Sequence, residues 1–366
     1  LMPTELRIVS DDPVDRDGPY LVAPEDLGQL LPDEPEFRVD QLREWLYRKP
    51  VTDPEGMVNL PQALRERLSD GLWPFEVEQV QEADGGRTRK WLFRLPDGPA
   101  IEAVLMGYKT RTTLCISSQA GCALGCTFCA TGQFGFERNL LAGEIVAQVQ
   151  WAEASLRNQP MPNSPDHVTN IVYMGMGEPL ANYRQVRESL RRLIEVKGMG
   201  ARRITVSTVG VVPGMRKLAD EPWQVGLAVS LHAAEDELRS SLIPLNDRHP
   251  LAEVEAAAQY FFDTTGRRVS IEWTLMDAVN DTDEQADLLA PIARRLDAHV
   301  NLIPMNPTPL TEDRPSSDDQ VESFKDRLLA LGANATVRTI RGQAIDGACG
   351  QLRAAPDGRP GLTSKR

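Results

Sequence analysis

The 366-residue chain contains no run of apolar residues near the roughly 18 to 20 that a membrane span requires. Its opening stretch, LMPTELRIVSDDPVDRDGPY, lacks the basic end and apolar run of a signal peptide. These absences lead to the expectation of a cytoplasmic protein without membrane association. Five cysteines are too few for a disulfide scaffold, and 41% hydrophobic residues are too many for a disordered chain. An excess of basic charge is also missing: 40 Lys and Arg face 53 Asp and Glu, for a net charge of −13, which at first sight argues against a polyanionic partner. The excess is local, since residues 1–40 hold eleven acids and three bases. This Pro-, Asp- and Glu-rich stretch predicts a solvated, partly disordered leader over 1–36. No internal repeat is visible.

What is present reads as a layered α/β chain. The runs DQLREWLYRKP and LPQALRERLSD carry apolar residues at three- and four-residue spacing, predicting a small helical accessory domain over 37–74. Between 75 and 111, FEVEQVQEA, RKWLFRLP and AIEAVLMGY are broken by Asp84-Gly85-Gly86 and Pro96-Asp97-Gly98, the pattern of a β-hairpin extension. From 112 to 342 apolar β-branched runs (VTNIVYM, RITVSTVG, QVGLAVSLH, RVSIEWTLM, HVNLIPMN, ATVRTIRG) alternate with helical stretches. That alternation predicts a parallel sheet and a complete or partial (β/α) barrel. Residues 343–366 form a C-terminal segment ending in APDGRPGLTSKR, which reads as a flexible tail. In such barrels chemistry gathers at the carboxyl ends of the strands. Those ends carry Gly175 to Glu178, Ser207, Ser230-Leu231-His232 and Asn306. Read alone, His232 is a satisfied structural histidine and the glycine motif a tight turn.

Four of the five cysteines fall within fifteen residues: Cys115, then Cys122, Cys126 and Cys129 in GCALGCTFCA, with Cys349 far away. A structural zinc site would pair two knuckles, and here there is neither a second knuckle nor a nearby His. Three buried free thiols in eight residues would be an unusual way to pack a core. The third reading is an iron–sulfur cluster held by Cys122, Cys126 and Cys129, in which a four-iron cubane keeps one iron open for a substrate.

The spacing C-x3-C-x2-C, with Phe128 before the third cysteine, resembles the radical S-adenosylmethionine enzymes. The resemblance implies a [4Fe–4S] cluster and S-adenosylmethionine as cofactors, with Gly177 and Glu178 holding the methionine amino group. It also implies further cofactor contacts from Ser207, Ser230, Leu231, His232 and Asn306. Cys115 in TTLCISSQAGCALGC and Cys349 in IDGACGQLR, together with GMGEPLANY, TVSTVGVVPGM, SLHAAEDELRSSLIPLN and VNLIPMNP, narrow the likeness. From about Glu102 to Arg353 the chain resembles the dual-specificity RNA methyltransferases that make 2-methyladenosine in 23S ribosomal RNA and transfer RNA. By that resemblance Cys349 carries the methyl group as S-methylcysteine, Cys115 resolves the RNA adduct by forming a disulfide with Cys349, and Glu102 accepts a proton. Two S-adenosylmethionine molecules are consumed per methylation. The expected partners are 23S rRNA, tRNA and an electron donor such as flavodoxin, with the enzyme a monomer. Without the resemblance, Glu102 reads as a solvated strand carboxylate. A C8-directed relative conferring antibiotic resistance, and a zinc-dependent RNA-binding protein without catalysis, are the alternatives. Two basic runs are candidate RNA contacts or solvated faces: Arg184, Arg187, Arg191, Arg192, Lys197, Arg202 and Arg203, and the shorter Arg87, Arg89 and Lys90.

Overall fold

The computed structural model describes residues 18–308, 310–339 and 341–352. Most of the predicted leader (1–17) and the tail beyond 352 lie outside the described residues.

Residues 18–36 correct the expectation of a solvated leader. Tyr20, Leu27 and Leu31 are buried, and the Tyr20 hydroxyl donates to the Leu46 carbonyl at 3.0 Å. The acidic composition of this stretch masks these apolar anchors, and its Glu25 pairs with Arg191 at 3.0 Å. Helices α1 (Glu36–Tyr47) and α2 (Gln62–Ser69) follow. Val39, Leu42 and Leu46 form one apolar stripe on α1, and Leu64 and Leu68 one on α2.

A ten-stranded sheet forms the centre. It opens with an antiparallel meander of β1 (Glu76–Ala83), β2 (Thr88–Arg94), β3 (Ala100–Tyr108) and β4 (Arg111–Cys115). The expected hairpin extension is therefore continuous with the core, because β3 pairs with β4. The short strands β5 (Gln119–Gly121) and β6 (Phe136–Asn139) pair with each other and enclose the cysteine loop and the short helix α3 (Ala130–Gln133). Then α4 (Ala142–Asn158), β7 (Asn170–Tyr173), α5 (Tyr183–Arg191), β8 (Ile204–Thr208), α6 (Val212–Ala219), β9 (Gly226–Ser230), α7 (Asp236–Leu242) and α8 (Leu251–Thr265) alternate. The series ends with β10 (Ser270–Leu275), α9 (Asp283–Arg295), β11 (His299–Pro304), α10 (Asp318–Ala330) and β12 (Asn334–Val337). Strands β4 and β7 to β12 are parallel and in order, so the sheet is a partial (β/α) barrel with β1 and β12 at its edges.

Helix α4 is buried nearly all round, including Glu144, Gln148, Gln150 and Glu153, because the sheet covers one face and the N-terminal segment the other. Gly143 lets the two backbones touch, since a Cβ there would lie 2.1 Å from the Tyr20 carbonyl oxygen. The segment after β12 runs back across the open side of the sheet. Gly342 N–H donates to the Asp84 carboxylate at 3.0 Å, and the Gly350 carbonyl accepts from Ala130 N–H at 2.8 Å. This crossing carries Cys349 to the barrel mouth.

Candidate active site

Cys122, Cys126 and Cys129 sit on the loop between β5 and α3. Cys122 N–H donates to the Gly135 carbonyl at 2.8 Å and Thr127 N–H to the Leu242 carbonyl at 3.1 Å, which anchors the loop at two points. Cys126 and Phe128 rest on Ala233, Leu242, Ile243, Met276 and Met305, a small apolar cluster beneath the loop. Burial pushes the Cys122 thiol up to about 12 and the Cys126 thiol upward as well, the cost of placing bare thiolates in apolar surroundings. Among the described residues, no three His, Cys, Asp or Glu side chains converge closely enough to hold a single ion.

The three cysteines line a cavity together with Gly175, Gly177, Glu178, Ser207, Ser230, His232, Glu272, Asn306, Arg338 and Cys349. All the expected cofactor contacts except Leu231 face it. Leu231 is buried, with its N–H on the Glu272 carbonyl at 3.1 Å and its carbonyl held by Arg239, so it braces the strand end instead. Gly177 has φ +92°, and a Cβ there would meet Gln119 at 2.4 Å, so this position accepts only glycine without rearrangement. The same Gln119 receives the Glu178 N–H at 2.8 Å. The Glu178 carboxylate accepts from Leu180 N–H (2.9 Å) and Val209 N–H (3.0 Å), while burial raises its pKa to about 7 against those bonds. Such a buried acceptor at the carboxyl end of β7 suits an ammonium group.

His232 is held at φ +59°, with Nδ1 accepting from Thr274 N–H at 2.9 Å and its ring edge-on to Phe128 at 4.6 Å. Burial drives its pKa down to about 3, so the ring is neutral and Nε2 carries the proton. Ser207 and Ser230 hydroxyls lie 3.4 Å apart. Asn306 donates through Nδ2 to the Cys349 carbonyl at 3.1 Å, while its Oδ1 is buried without a hydrogen-bond partner among the described residues. An orphaned buried acceptor is costly, and one lining this cavity fits a ligand that supplies a donor. The residues present therefore fit both implied groups: three thiols for a cluster, and Glu178, Asn306 and the paired serines for a polar cofactor.

A second cavity adjoins the first. Cys115, at the end of β4, and Cys349 both line it, with Asn306 and Arg338 common to the two spaces. Cys115 is buried, and burial followed by proximity to Cys349 lifts its thiol to about 12. Cys349 is exposed, with Arg338 Nη1 at 4.0 Å from its sulfur. Arg338 also faces Glu272 at 3.4 Å. Neither was identifiable in the sequence, where a lone Arg after a strand and a Glu within one carry no signal.

Glu102 lies on β3 facing the same side as Cys115, since Val104 pairs with Cys115 and side chains two apart share a face. It is buried, not solvated, and forms an ion pair with buried Lys90 at 2.8 Å. Lys90 also reaches the Asp346 carbonyl at 3.3 Å, tying the carboxylate to the Cys349 segment. Most of the two basic runs are committed internally. Arg187 pairs with Glu221, Arg191 with Glu188 and Glu25, Arg192 with Glu188, and Lys197 with Glu153. Arg89 is buried against Glu82, so of the shorter run only Arg87 is exposed.

A cysteine-loop barrel with this strand-end acceptor set defines a radical S-adenosylmethionine enzyme, a class that uses a [4Fe–4S] cluster and S-adenosylmethionine. The radical SAM superfamily model matches residues 116–290, and that of the ribosomal RNA large subunit methyltransferase N-terminal domain matches 30–72. A probable dual-specificity RNA methyltransferase RlmN of Rhodococcus jostii is 50% identical over 329 residues, covering 87% of this chain and 89% of its own. The Nocardioides relative of the same description is 46% identical and covers 96% and 98%. The crystal structure of a radical SAM methyltransferase from Sphaerobacter thermophilus superposes with a TM-score of 0.87 at 47% identity, over 92% of this chain and 99% of that one. The chain belongs to the RlmN family of dual-specificity RNA methyltransferases. No helix among the described residues is long and apolar enough to cross a membrane.

Proposed function

We propose that this protein methylates C2 of an adenosine in 23S ribosomal RNA and in transfer RNA, acting in the cytoplasm with reducing electrons from a flavodoxin-like donor. The observation that carries the reading is the position of Cys349, which lines both the cavity of the three cluster cysteines and the cavity of Cys115. One sulfur thus faces a methyl source on one side and a resolving thiol on the other.

The chemistry explains why two such cysteines are needed. Adenine C2 is electron-poor and no nucleophile, so polar methyl transfer is not available to it. The cluster and S-adenosylmethionine, when bound, supply a transferable methyl group and a 5′-deoxyadenosyl radical. Cys349 takes the methyl on sulfur. After loss of a hydrogen atom its methylene carbon bonds to C2, so that the RNA is attached through that carbon. The adduct radical gives up one electron, which a bound oxidised cluster would accept, and Glu102 removes the C2 proton. The Cys115 thiolate then attacks the Cys349 sulfur, the sulfur–carbon bond breaks with its electron pair on the methylene carbon, that carbon takes up a proton to become the methyl group, and a Cys115–Cys349 disulfide remains. Arg338, whose charge opposes the elevation of the Cys115 thiol, favours the attacking thiolate. Gly177, Glu178, Ser207, Ser230, His232 and Asn306 orient the cofactor, and two S-adenosylmethionine molecules are consumed per turnover.

The test is trapping. Cys115→Ala protein should accumulate RNA covalently bound to Cys349, and Cys349→Ala protein should transfer no methyl group. Release of methylated RNA at the normal rate by either variant would sink the scheme. Mass spectrometry of the product adenosine should place the methyl at C2; a C8 methyl would instead assign the resistance-type chemistry. Iron and sulfide should accompany anaerobically purified protein, whereas one zinc without sulfide would overturn the enzyme reading.

A further inference from the structure

Both basic runs that stand out in the sequence are largely consumed by internal ion pairs, which leaves open where a polyanion would dock. Four other cations, Arg87, Lys109, Arg111 and Arg341, make no ion pair among the described residues. They come together around Tyr108. Arg87 projects from the β1–β2 turn, Lys109 from the β3–β4 turn, Arg111 from the start of β4, and Arg341 from the segment after β12. The turns are held side by side because Gly107 N–H donates to the Arg87 carbonyl at 2.7 Å. The Arg111 guanidinium lies 4.3 Å from the Tyr108 ring centroid and that of Arg341 5.1 Å, so one ring positions two cations. Arg341 Nε is buried with no hydrogen-bond partner among the described residues.

The recess at this junction is lined by Arg87, Tyr108, Lys109, Asn163, Ser164 and Arg341, with no carboxylate among its lining residues. Tyr108 and Arg341 also line the Cys115–Cys349 cavity. A basic recess therefore adjoins the cavity of Cys115 and Cys349. In a chain of net charge −13, a recess with no carboxylate in its lining holds a local positive field: the neighbouring Asp84 carboxylate is engaged by the Thr88 hydroxyl and the Gly342 N–H, and acids farther than about 8 Å are screened at physiological salt.

We propose that this recess is the RNA docking surface: Arg87, Lys109, Arg111 and Arg341 contact the phosphates flanking the target nucleotide, and the unstacked base passes Tyr108 and Arg341 toward Cys349. The assignment rests on the RNA methyltransferase reading above. Phosphate contacts position the substrate without reading its sequence, which suits a surface that must accept two different RNAs.

The test is equilibrium binding of a short RNA hairpin with one unpaired loop adenosine to the anaerobic holoenzyme, titrated between about 0.05 and 0.2 M salt. Each lost phosphate contact lowers the slope of log K against log salt by about 0.7 to 0.9. Lys109→Gln/Arg111→Gln and Arg87→Gln/Arg341→Gln should each lower the slope by about 1.4 to 1.8, with affinity loss on the order of tenfold or more at low salt. Lys109→Arg/Arg111→Lys should keep the slope, which separates charge from folding, and Arg268→Gln/Arg294→Gln on other faces should leave binding unchanged. Wild-type binding with unaltered slope in both double variants would overturn the docking surface while leaving the enzymatic reading intact. Absence of any salt-dependent binding by the wild type would remove that reading itself. Variants that bind RNA normally but lose reduction by an acidic flavoprotein would reassign the recess to the electron donor and refute the proposal.

Discussion

Replacing Lys90 by methionine keeps the volume of the side chain and removes a cation from a place where little water can substitute for it. Lys90 Nζ lies 2.8 Å from Glu102, with both side chains 7% exposed. At an effective dielectric of about 20 the pair attraction is roughly 6 kcal/mol, and removing one partner of such a pair commonly costs about 3 to 5 kcal/mol. Lys90→Met is therefore expected to lose about 3 to 5 kcal/mol at pH 7 in urea unfolding followed by fluorescence of the six tryptophans. Lys90→Met/Glu102→Gln should recover most of the loss, because the buried negative charge that Lys90 neutralises is then removed as well. A single-variant penalty below about 1 kcal/mol, or a double variant no more stable than Lys90→Met, would refute this account of the Lys90–Glu102 pair.

Three further outcomes follow from the site. His232 is kept neutral by burial, with a pKa of about 3, so its contribution is present above about pH 6.5 and lost as pH falls toward 3, on the order of 5 kcal/mol in all. His232→Asn, which tolerates the positive φ and keeps an acceptor for Thr274 N–H, should flatten that acid slope in pH-dependent unfolding; an unchanged slope would place the linkage elsewhere. Gly177→Ala forces a Cβ to 2.4 Å from Gln119 at φ +92°. It should weaken S-adenosylmethionine binding by at least about tenfold, for a strain of about 1 to 3 kcal/mol, measured by equilibrium dialysis; a change under twofold would mean that the loop adapts freely. Arg338→Met removes the cation that opposes the elevation of the Cys115 thiol, so formation of the Cys115–Cys349 disulfide by a mild oxidant at pH 8 should slow several-fold, with Arg338→Lys retaining most of the rate. Equal rates in all three proteins, followed by mass spectrometry, would exclude an electrostatic role for Arg338.

What could be read from the sequence was whatever is local along the chain. Cys122, Cys126 and Cys129 lie within eight residues on one Gly-rich loop, so their spacing alone brings the thiols together. Alternating strands and helices predict the parallel barrel, and the barrel in turn places Glu178, Ser207, Ser230, His232 and Asn306 at one end, because side chains at strand ends share a mouth whatever the sequence distance between them. The tertiary structure decided everything that depends on partners. It turned Glu102 from a strand carboxylate into half of a buried ion pair, withdrew Leu231 from the cavity, and ordered Tyr20, Leu27 and Leu31 within a stretch whose composition reads as solvated. It also showed which cations lack an ion pair among the described residues. Arg191 and Arg89 look in sequence like Arg111 and Arg341, but the first two face carboxylates and the last two face a tyrosine ring. Charge counts describe a chain, whereas the field at a docking surface depends on which charges lie within a few ångströms of one another, and only the folded chain fixes those distances.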